Sequence, residues 1–367
     1  RRQNMRHNGP VKYETVNIFA KTGEAAHIEA MAFEAARHAA EEINRLGGVM
    51  GHRLELIEYD NESTVLGSRK AALQAARDQV AAVIGASLSS HSSAMAPVLQ
   101  KARIPMVTPI STSPEVTRIG DCIFRACYTD RLQGRLLAEF ALEELKARRA
   151  AVLINANSEY SLGLARFFRD RFSEKGQVIL ELDYLQSTAD FRSLLEKIKA
   201  AEPEVIFVPG YPRDSVYIIR QARHMGIQSA LLGADGWSDV MYEYAGGELE
   251  GLFFSQHWHP EVPDERSRAF YERHSAKQSM FWPGLVALTY DTVRLIADAV
   301  RRAGSIQAED IRAALAGTKD FHGLTGRIEF DENRNPRSKP LVMVRFGKDK
   351  SEFYKWIQSN HPRDSRE

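Results

Sequence analysis

Strands and helices alternate along most of this 367-residue sequence, in two consecutive sets. In the first set, apolar runs such as VAAVIGA and IPMVTPI are each followed by a segment with helical periodicity. The pattern restarts at RAAVLINA and continues through EVIFVPG and SALLGADG. Strands that alternate with helices of about 10–15 residues are typical of βαβ units and a parallel sheet. The sequence therefore predicts an α/β fold with two doubly wound parallel sheets, one in each of two lobes.

The last third of the chain departs from this alternation. GLVALTYDTVRLIADAVRRAG predicts a long helix, and residues 308–316 predict a short one. The tail GRIEFDENRNPRSKPLVMVRFGKDKSEFYKW is typical of β-hairpins, with a polar turn expected at DENRNPRSK. A helical segment followed by antiparallel strands suggests that the chain re-enters both lobes near its end.

The charge balance narrows the classes of partner. The sequence has 49 basic and 48 acidic residues, a formal net charge of +1. This balance argues against a broad nucleic-acid surface and against a polybasic membrane footprint. No apolar run approaches the roughly 18 residues that a membrane helix needs. The opening RRQNMRHNGP contains arginines without a following apolar segment, so it does not resemble an intact signal peptide.

Hydroxyl side chains follow two strands of the first set. Ser89 and Ser90 come after VAAVIGA, and Ser111 and Thr112 come after IPMVTPI. Parallel sheets bind ligands at the carboxyl ends of their strands, and free amides at helix N-termini favour anions. These side chains predict a site for an anion such as an α-carboxylate. Alternatively, they only cap their own helices.

The second set places aromatic and acidic residues at the equivalent edge. Tyr160 follows RAAVLINA, Tyr211 follows EVIFVPG, and Asp235 lies near the end of SALLGADG. We expect them to face the hydroxyls of the first set across a crevice, with Asp235 as the partner of a ligand ammonium group. The alternatives are a turn aspartate and a loop tyrosine.

Catalytic and metal-binding motifs give no competing prediction. The sequence lacks a G-x-S-x-G elbow, a Walker loop, an H-E-x-x-H motif and a G-x-G-x-x-G after a strand. His257 and His259 share a predicted strand face, but no third ligand accompanies them. We therefore predict a binding protein rather than an enzyme, with no catalytic residue, metal or cofactor.

Several segments together carry a resemblance to a known family: VIGASLSSHSSAMAPVLQKARIPMVTPISTSPEVT, SEYSLGLARFFRDRF, DFRSLLEKIKAAEPEVIFVPGY and RQARHMGIQSALLGADG. In this order the chain resembles the type I periplasmic binding proteins of the leucine/isoleucine/valine class, from about Val16 to the C-terminal hairpins. The resemblance implies two lobes joined by three crossovers. It implies a first lobe of residues 11–130 plus 259–325, and a second of residues 131–258 plus 326–358.

The resemblance also implies roles for particular residues. Ser89 matches the hydroxyl that binds the ligand carboxylate, and Thr112 matches a threonine that binds carboxylate and ammonium, with the Ser111 amide beside it. Asp235 matches an acidic residue that binds the ammonium. The walls of the pocket are implied by a further set of matches: Tyr160, Tyr211, and Phe281 or Trp282. His27 lies where an aromatic often contacts the ligand side chain, which leaves specificity open.

The implied function is capture of a small amino-acid-like ligand, such as a branched-chain or other apolar amino acid, by lobe closure outside the cytoplasm. Delivery to an ABC transporter permease by a periplasmic monomer is what the family implies. The alternatives are a binder of amides, urea or aromatic acids, and a ligand-sensing ectodomain of a receptor.

Overall fold

The structure is a computed structural model and describes residues 12–358. Its first sheet has five parallel strands in the order β2-β1-β3-β4-β5. The strands are Lys12–Phe19 (β1), Arg53–Asp60 (β2), Ala82–Gly85 (β3), Met106–Thr108 (β4) and Ile123–Arg125 (β5). The helices that follow them are Ala26–Arg45 (α1), Val65–Arg77 (α2), Ser89–Ala102 (α3), Glu115–Arg118 (α4) and Asp130–Glu143 (α5).

The second sheet has seven strands in the order β14-β13-β10-β9-β8-β6-β7. Its strands are Arg149–Asn155 (β6), Gln177–Tyr184 (β7), Val205–Val208 (β8), Ala230–Gly233 (β9), Phe253–Gln256 (β10), Leu341–Phe346 (β13) and Ser351–Ile357 (β14). The intervening helices are Glu159–Phe172 (α6), Arg192–Ala201 (α7) and Pro212–His224 (α8). β6 to β10 are parallel, whereas β13 runs antiparallel to β10 and to β14.

Two short 3-10 helices, Asp239–Glu243 and Gly247–Leu249, lie between β9 and β10. The remaining elements lie between β10 and β13: Glu265–His274 (α9), Pro283–Ala303 (α10), Ala308–Ala316 (α11), Phe321–Gly323 (β11) and Gly326–Ile328 (β12). α10 packs against α1 and β3, so this part of the chain returns to the first sheet. The chain therefore crosses between the sheets three times, after β5, β10 and β12. The predicted α/β fold with two doubly wound sheets is confirmed.

Two features of the C-terminal third differ from the sequence-based expectation. β12 pairs with β11 rather than with β13, so DENRNPRSK does not join the two strands of one hairpin. The hairpin that forms is β13–β14, and its turn lies at residues 347–350. Helix α9 was not predicted, because its sequence ERSRAFYERH buries only Ser267, Phe270 and His274 and has no clear apolar stripe.

Burial explains why the parallel strands are almost wholly apolar. All four residues of β3 (AVIG) and all four of β8 (VIFV) are buried. Parallel strands covered by helices on both faces require apolar side chains in both directions. The result is a pair of rigid sheets whose carboxyl ends hold the loops described below. Within residues 12–358, none of the helices combines the length and the apolar character that a bilayer-crossing segment requires.

Candidate functional site

A cavity of about 510 Å³ lies between the loops that follow the strands of the two sheets. The first sheet contributes the loops after β1, β2 and β3, and the second sheet those after β6, β7 and β8. The lining residues are Glu24, Ala25, Ile28, Glu29, Ser63, Thr64, Val65, Leu88, Ser90, His91, Asn157, Ser158, Gln186, Tyr211, Pro212, Arg213, Asp214, Tyr217, Tyr244 and Trp282.

The predicted site residues fall into three groups around this cavity. Ser90, Tyr211 and Trp282 line it. Five others lie behind the lining and are no more than 3% exposed: Ser89, Ser111, Thr112, Tyr160 and Asp235. The remaining two, His27 and Phe281, are exposed at its rim.

Ser89 and Ser111 make different contacts in the loops of the first sheet. Ser89 is the first residue of α3 rather than its cap, and its hydroxyl accepts the Ser113 amide at 3.2 Å. The Ser111 amide donates to the Thr108 hydroxyl at 3.0 Å, and the Ser111 hydroxyl lies 2.7 Å from that of Ser92. Both groups of Ser111 therefore bond within the first sheet's own loops.

A buried cation, not foreseen from the sequence, supports these loops from behind. Arg125 is fully buried, and its guanidinium donates to the carbonyls of Ser111 at 2.5 Å and Ser113 at 2.8 Å, and to Asn335 Oδ1 at 2.6 Å. These bonds fix the peptides on both sides of Thr112. The sequence signal was weak, because Arg125 stands at the end of a short strand like any surface arginine.

Asp235 lies directly after β9 and is held by both of its oxygens. Oδ1 accepts the Gln133 side-chain amide at 3.0 Å, and Oδ2 lies 2.8 Å from His257 Nε2. Its carbonyl accepts the Trp282 indole at 3.1 Å. Burial lowers the pKa of His257, which favours the neutral ring, although the bond to Asp235 opposes this. The side chain is thus held in place by the Gln133 amide and the His257 ring.

A second buried carboxylate, Asp130, stands beside Asp235. The Gln133 side-chain amide bridges the two acids, since it also donates to Asp130 Oδ1 at 3.1 Å. Asp130 also bonds to the Thr112 side chain, and among the described residues its Oδ2 has no hydrogen-bond partner. Burial and the Asp235 charge raise the pKa of Asp130 well above its usual range. An acid pair of this kind would be stabilised by a cation.

The two predicted aromatics form one stack beside this acid pair. The ring centroids of Tyr160 and Tyr211 are 5.3 Å apart, with an angle of 27° between the rings. The Tyr160 hydroxyl accepts the Gly236 amide at 3.1 Å. A Cβ at Gly236 would lie 2.4 Å from the Gly210 carbonyl oxygen, so only glycine permits the close approach of these two loops. The stacked tyrosine rings and the loops at Gly210 and Gly236 therefore lie next to the acid pair.

Hydrogen bonds also join segments of the two sheets directly. The Glu159 carboxylate, at the start of α6, accepts the hydroxyls of Ser113 at 2.7 Å and Ser93 at 3.1 Å. At the rim, His27 Nε2 lies 3.2 Å from a Glu243 oxygen. The Phe281 carbonyl accepts the Val240 amide at 3.2 Å. Glu159 was not foreseen, because its partners are distant in sequence.

The histidines singled out by the sequence have separate surroundings. His257 stacks on Tyr128 with ring centroids 3.9 Å apart, and His259 lies 3.2 Å from the Ser351 hydroxyl. Both are buried beyond the end of β10 rather than on a strand face. Within residues 12–358 no group of three or more His, Cys, Asp or Glu side chains is arranged to hold a metal ion.

The arrangement combines groups that favour an anion with groups that favour a cation. Ser89 and Thr112 lie beside the N-terminus of α3, which favours an anion, and Asp130 and Asp235 favour a cation. Thr112 contacts Asp130 directly. A small zwitterion could therefore place its carboxylate toward the first pair and its ammonium toward the second.

Comparisons with known proteins agree with this architecture. A family model described as periplasmic binding protein matches residues 17–351. The chain is 27% identical to a leucine-, isoleucine-, valine-, threonine- and alanine-binding protein of Pseudomonas aeruginosa, over 89% of this chain and 88% of that protein. A leucine-binding protein of Thermotoga maritima superposes with a TM-score of 0.87 at 31% identity, over 94% and 98% of the two chains. A branched-chain amino acid transporter substrate-binding protein of Streptococcus pneumoniae, solved with isoleucine, gives 0.88 at 27% identity, over 95% and 100%.

Proposed function

We propose that this chain, which belongs to the periplasmic binding protein family, captures a small amino acid between its two lobes and delivers it to an ABC transporter permease. The observation that carries the proposal is the pair Asp130–Asp235, which Gln133 bridges and which Thr112 contacts. Relatives of the chain bind leucine, isoleucine or other small amino acids. The protein would bind its ligand without chemical change, in the periplasm and as a monomer.

The proposed lobes follow the sheets. Residues 11–130 plus 259–325 would move as one body around the first sheet, and residues 131–258 plus 326–358 as the other; residue 11 lies outside the described part of the chain. A ligand that touches both bodies favours their closed arrangement only by its differential affinity for it. The contacts of Glu159, Trp282 and His27 across the cleft would form and break in that movement.

Within this proposal, Ser89 and Thr112 bind the ligand carboxylate, and Asp235 binds the ammonium together with the free oxygen of Asp130. Charge-assisted hydrogen bonds are roughly twice as strong as neutral ones. Loss of one partner from a buried charge pair costs on the order of 2–5 kcal/mol. The Asp235 carboxylate is held in place by Gln133 and His257, so its replacement by asparagine should remove the charge and keep the shape.

The test is calorimetry with ligand-free protein, L-amino acids and the matching 2-hydroxy acids, which lack the ammonium. We expect an amino acid to bind and its hydroxy acid to bind at least 100-fold more weakly. Asp235→Asn should weaken amino-acid binding by about 2–5 kcal/mol. The difference in affinity between the amino acid and its hydroxy acid should therefore become smaller. Asp183→Asn, on β7 away from the cavity lining, is the control. Binding of only aromatic acids, amides or urea would overturn the proposal.

A further inference from the structure

Buried acidic side chains line the same cavity as Tyr211 and Trp282. Glu29, in the first turn of α1, is 1% exposed, and Asp214, in the first turn of α8, is 4% exposed. Both line the cavity, one from each lobe. Such acids are rarely buried without a pairing charge, so their surroundings decide what they are for.

Glu29 is bound by neutral donors. Its carboxylate accepts the Ala20 amide at 2.5 Å and the Ser87 hydroxyl. Burial is the main reason that the pKa of Glu29 rises to about 6. Neutral hydrogen bonds hold the carboxylate in place at the cavity wall without supplying a countercharge.

Asp214, in the other lobe, also accepts hydrogen bonds from neutral donors, but it has one cation at the limit of ion-pair distance. It accepts the Tyr184 hydroxyl at 3.1 Å and the Asn155 amide at 3.3 Å. The nearest guanidinium nitrogen of Arg213 is 4.0 Å away, and Arg213 points partly to solvent. Burial raises the pKa of Asp214 to about 6, and the charge of Glu24 from the opposite lobe adds to that rise.

The charges that line the whole cavity are therefore unbalanced. Three carboxylates line it, those of Glu24, Glu29 and Asp214, against one permanent cation, Arg213, in the described part of the chain. His91 also lines it, but burial lowers the pKa of His91 to about 4, which leaves the ring neutral near pH 7. A purely apolar ligand side chain would supply no positive charge to compensate these carboxylates.

Aromatic faces complete the same wall. Tyr211, Tyr217, Tyr244 and Trp282 line the cavity beside the acids. Aromatic faces attract cations, and the attraction strengthens when water is excluded. Carboxylates combined with aromatic rings favour an organic cation over an isobutyl or sec-butyl group, which needs only apolar contacts.

We propose that the side chain of the bound amino acid is cationic and that its amine or guanidine lies between Glu29 and Asp214. This inference rests on the proposed function, since it assumes that the ligand's head group lies at Asp130 and Asp235. It departs from the relatives, whose described ligands have uncharged side chains. The cavity of about 510 Å³ has room for a side chain of lysine or arginine length.

The test compares L-lysine and L-arginine with L-norleucine by calorimetry on ligand-free protein. Norleucine has the straight side chain of lysine without the terminal amine. We expect lysine or arginine to bind at least tenfold more tightly than norleucine. In the double variant Glu29→Gln/Asp214→Asn that preference should fall below threefold. Glu41→Gln, on the exposed side of α1, should keep it.

Each result decides the matter. Norleucine or leucine binding as tightly as both basic amino acids would overturn the inference and leave the proposed function standing. Failure of every amino acid to bind would overturn both. The wild-type comparison alone is decisive if the double variant does not fold.

Discussion

The Glu159 contact offers a direct test of closure, because it joins the lobes without belonging to either core. One carboxylate oxygen accepts two hydroxyls from the opposite lobe, those of Ser93 and Ser113, and the Glu159 amide lies 3.4 Å from the Ser90 hydroxyl. These bonds can exist only while the lobes are together. Replacement of Glu159 by alanine should therefore weaken the closed state and spare each lobe.

The size of the effect follows from the bonds that are lost. A hydrogen bond to a charged group contributes about 1.5–3 kcal/mol when it is buried. Glu159 is only partly buried, so we take about 2 kcal/mol for both hydroxyls together. Because 1.4 kcal/mol is a factor of ten, the ratio of closed to open molecules should fall about 30-fold. If the ligand binds the closed state, its apparent Kd rises by up to that factor.

Calorimetry and small-angle scattering measure the two sides of this expectation. We expect Glu159→Ala to raise the Kd for the bound amino acid about 10–30-fold and to increase the radius of gyration of the unliganded protein. Its midpoint of urea unfolding should change little. Asp170→Ala, on the exposed face of the same helix, is the control. An unchanged Kd together with an unchanged scattering curve would refute the reasoning.

Two further variants test the supports of the site. Arg125→Lys leaves fewer donors for the carbonyls of Ser111 and Ser113. We expect the free energy of unfolding in urea to fall by about 3 kcal/mol. A loss below about 1 kcal/mol would show that the Arg125 hydrogen bonds do not support these loops. His91 has a pKa of about 4 in the folded protein against 6.5 in the unfolded chain, so its contribution is complete above pH 6.5 and is lost as the pH falls toward 4. His91→Gln should therefore lose roughly 3 kcal/mol less than wild type between pH 7 and 4, and parallel pH curves for the two proteins would show that His91 is not the cause.

The parallel sheets could be predicted from the sequence because strands that are buried on both faces appear as continuous apolar runs. Residues 308–316 form the short helix where its apolar spacing placed it. The strand pairing of the C-terminal tail was harder to predict. β12 is three residues long and could pair with either neighbour, and only the position of β10 decides that β13 belongs to the second sheet. Register between distant strands leaves no local trace.

The site residues also fall into two groups, those that local sequence can locate and those whose role depends on distant partners. Strand ends can be located from periodicity, so Ser90 and Tyr211, which line the cavity, could be singled out from the sequence, whereas Trp282 was implied only by the resemblance. Asp130 looked like an ordinary first residue of a helix, and its importance appears only when Gln133 bridges it to Asp235, about a hundred residues away. Glu159 escaped notice for the same reason. A side chain's partners come from the tertiary fold, whereas its place on a strand or helix is local.

The position of β13 and β14 also sets an order of assembly. β10 lies inside the second sheet only because β13 pairs with it, and β13 begins at Leu341, near the end of the chain. Until those residues are made, the second sheet presents an open edge at β10, and the pairing must then span more than eighty residues. Such non-local pairing is slow. The second sheet is therefore completed only after the residues of β13 and β14 have been synthesised and have folded back onto β10.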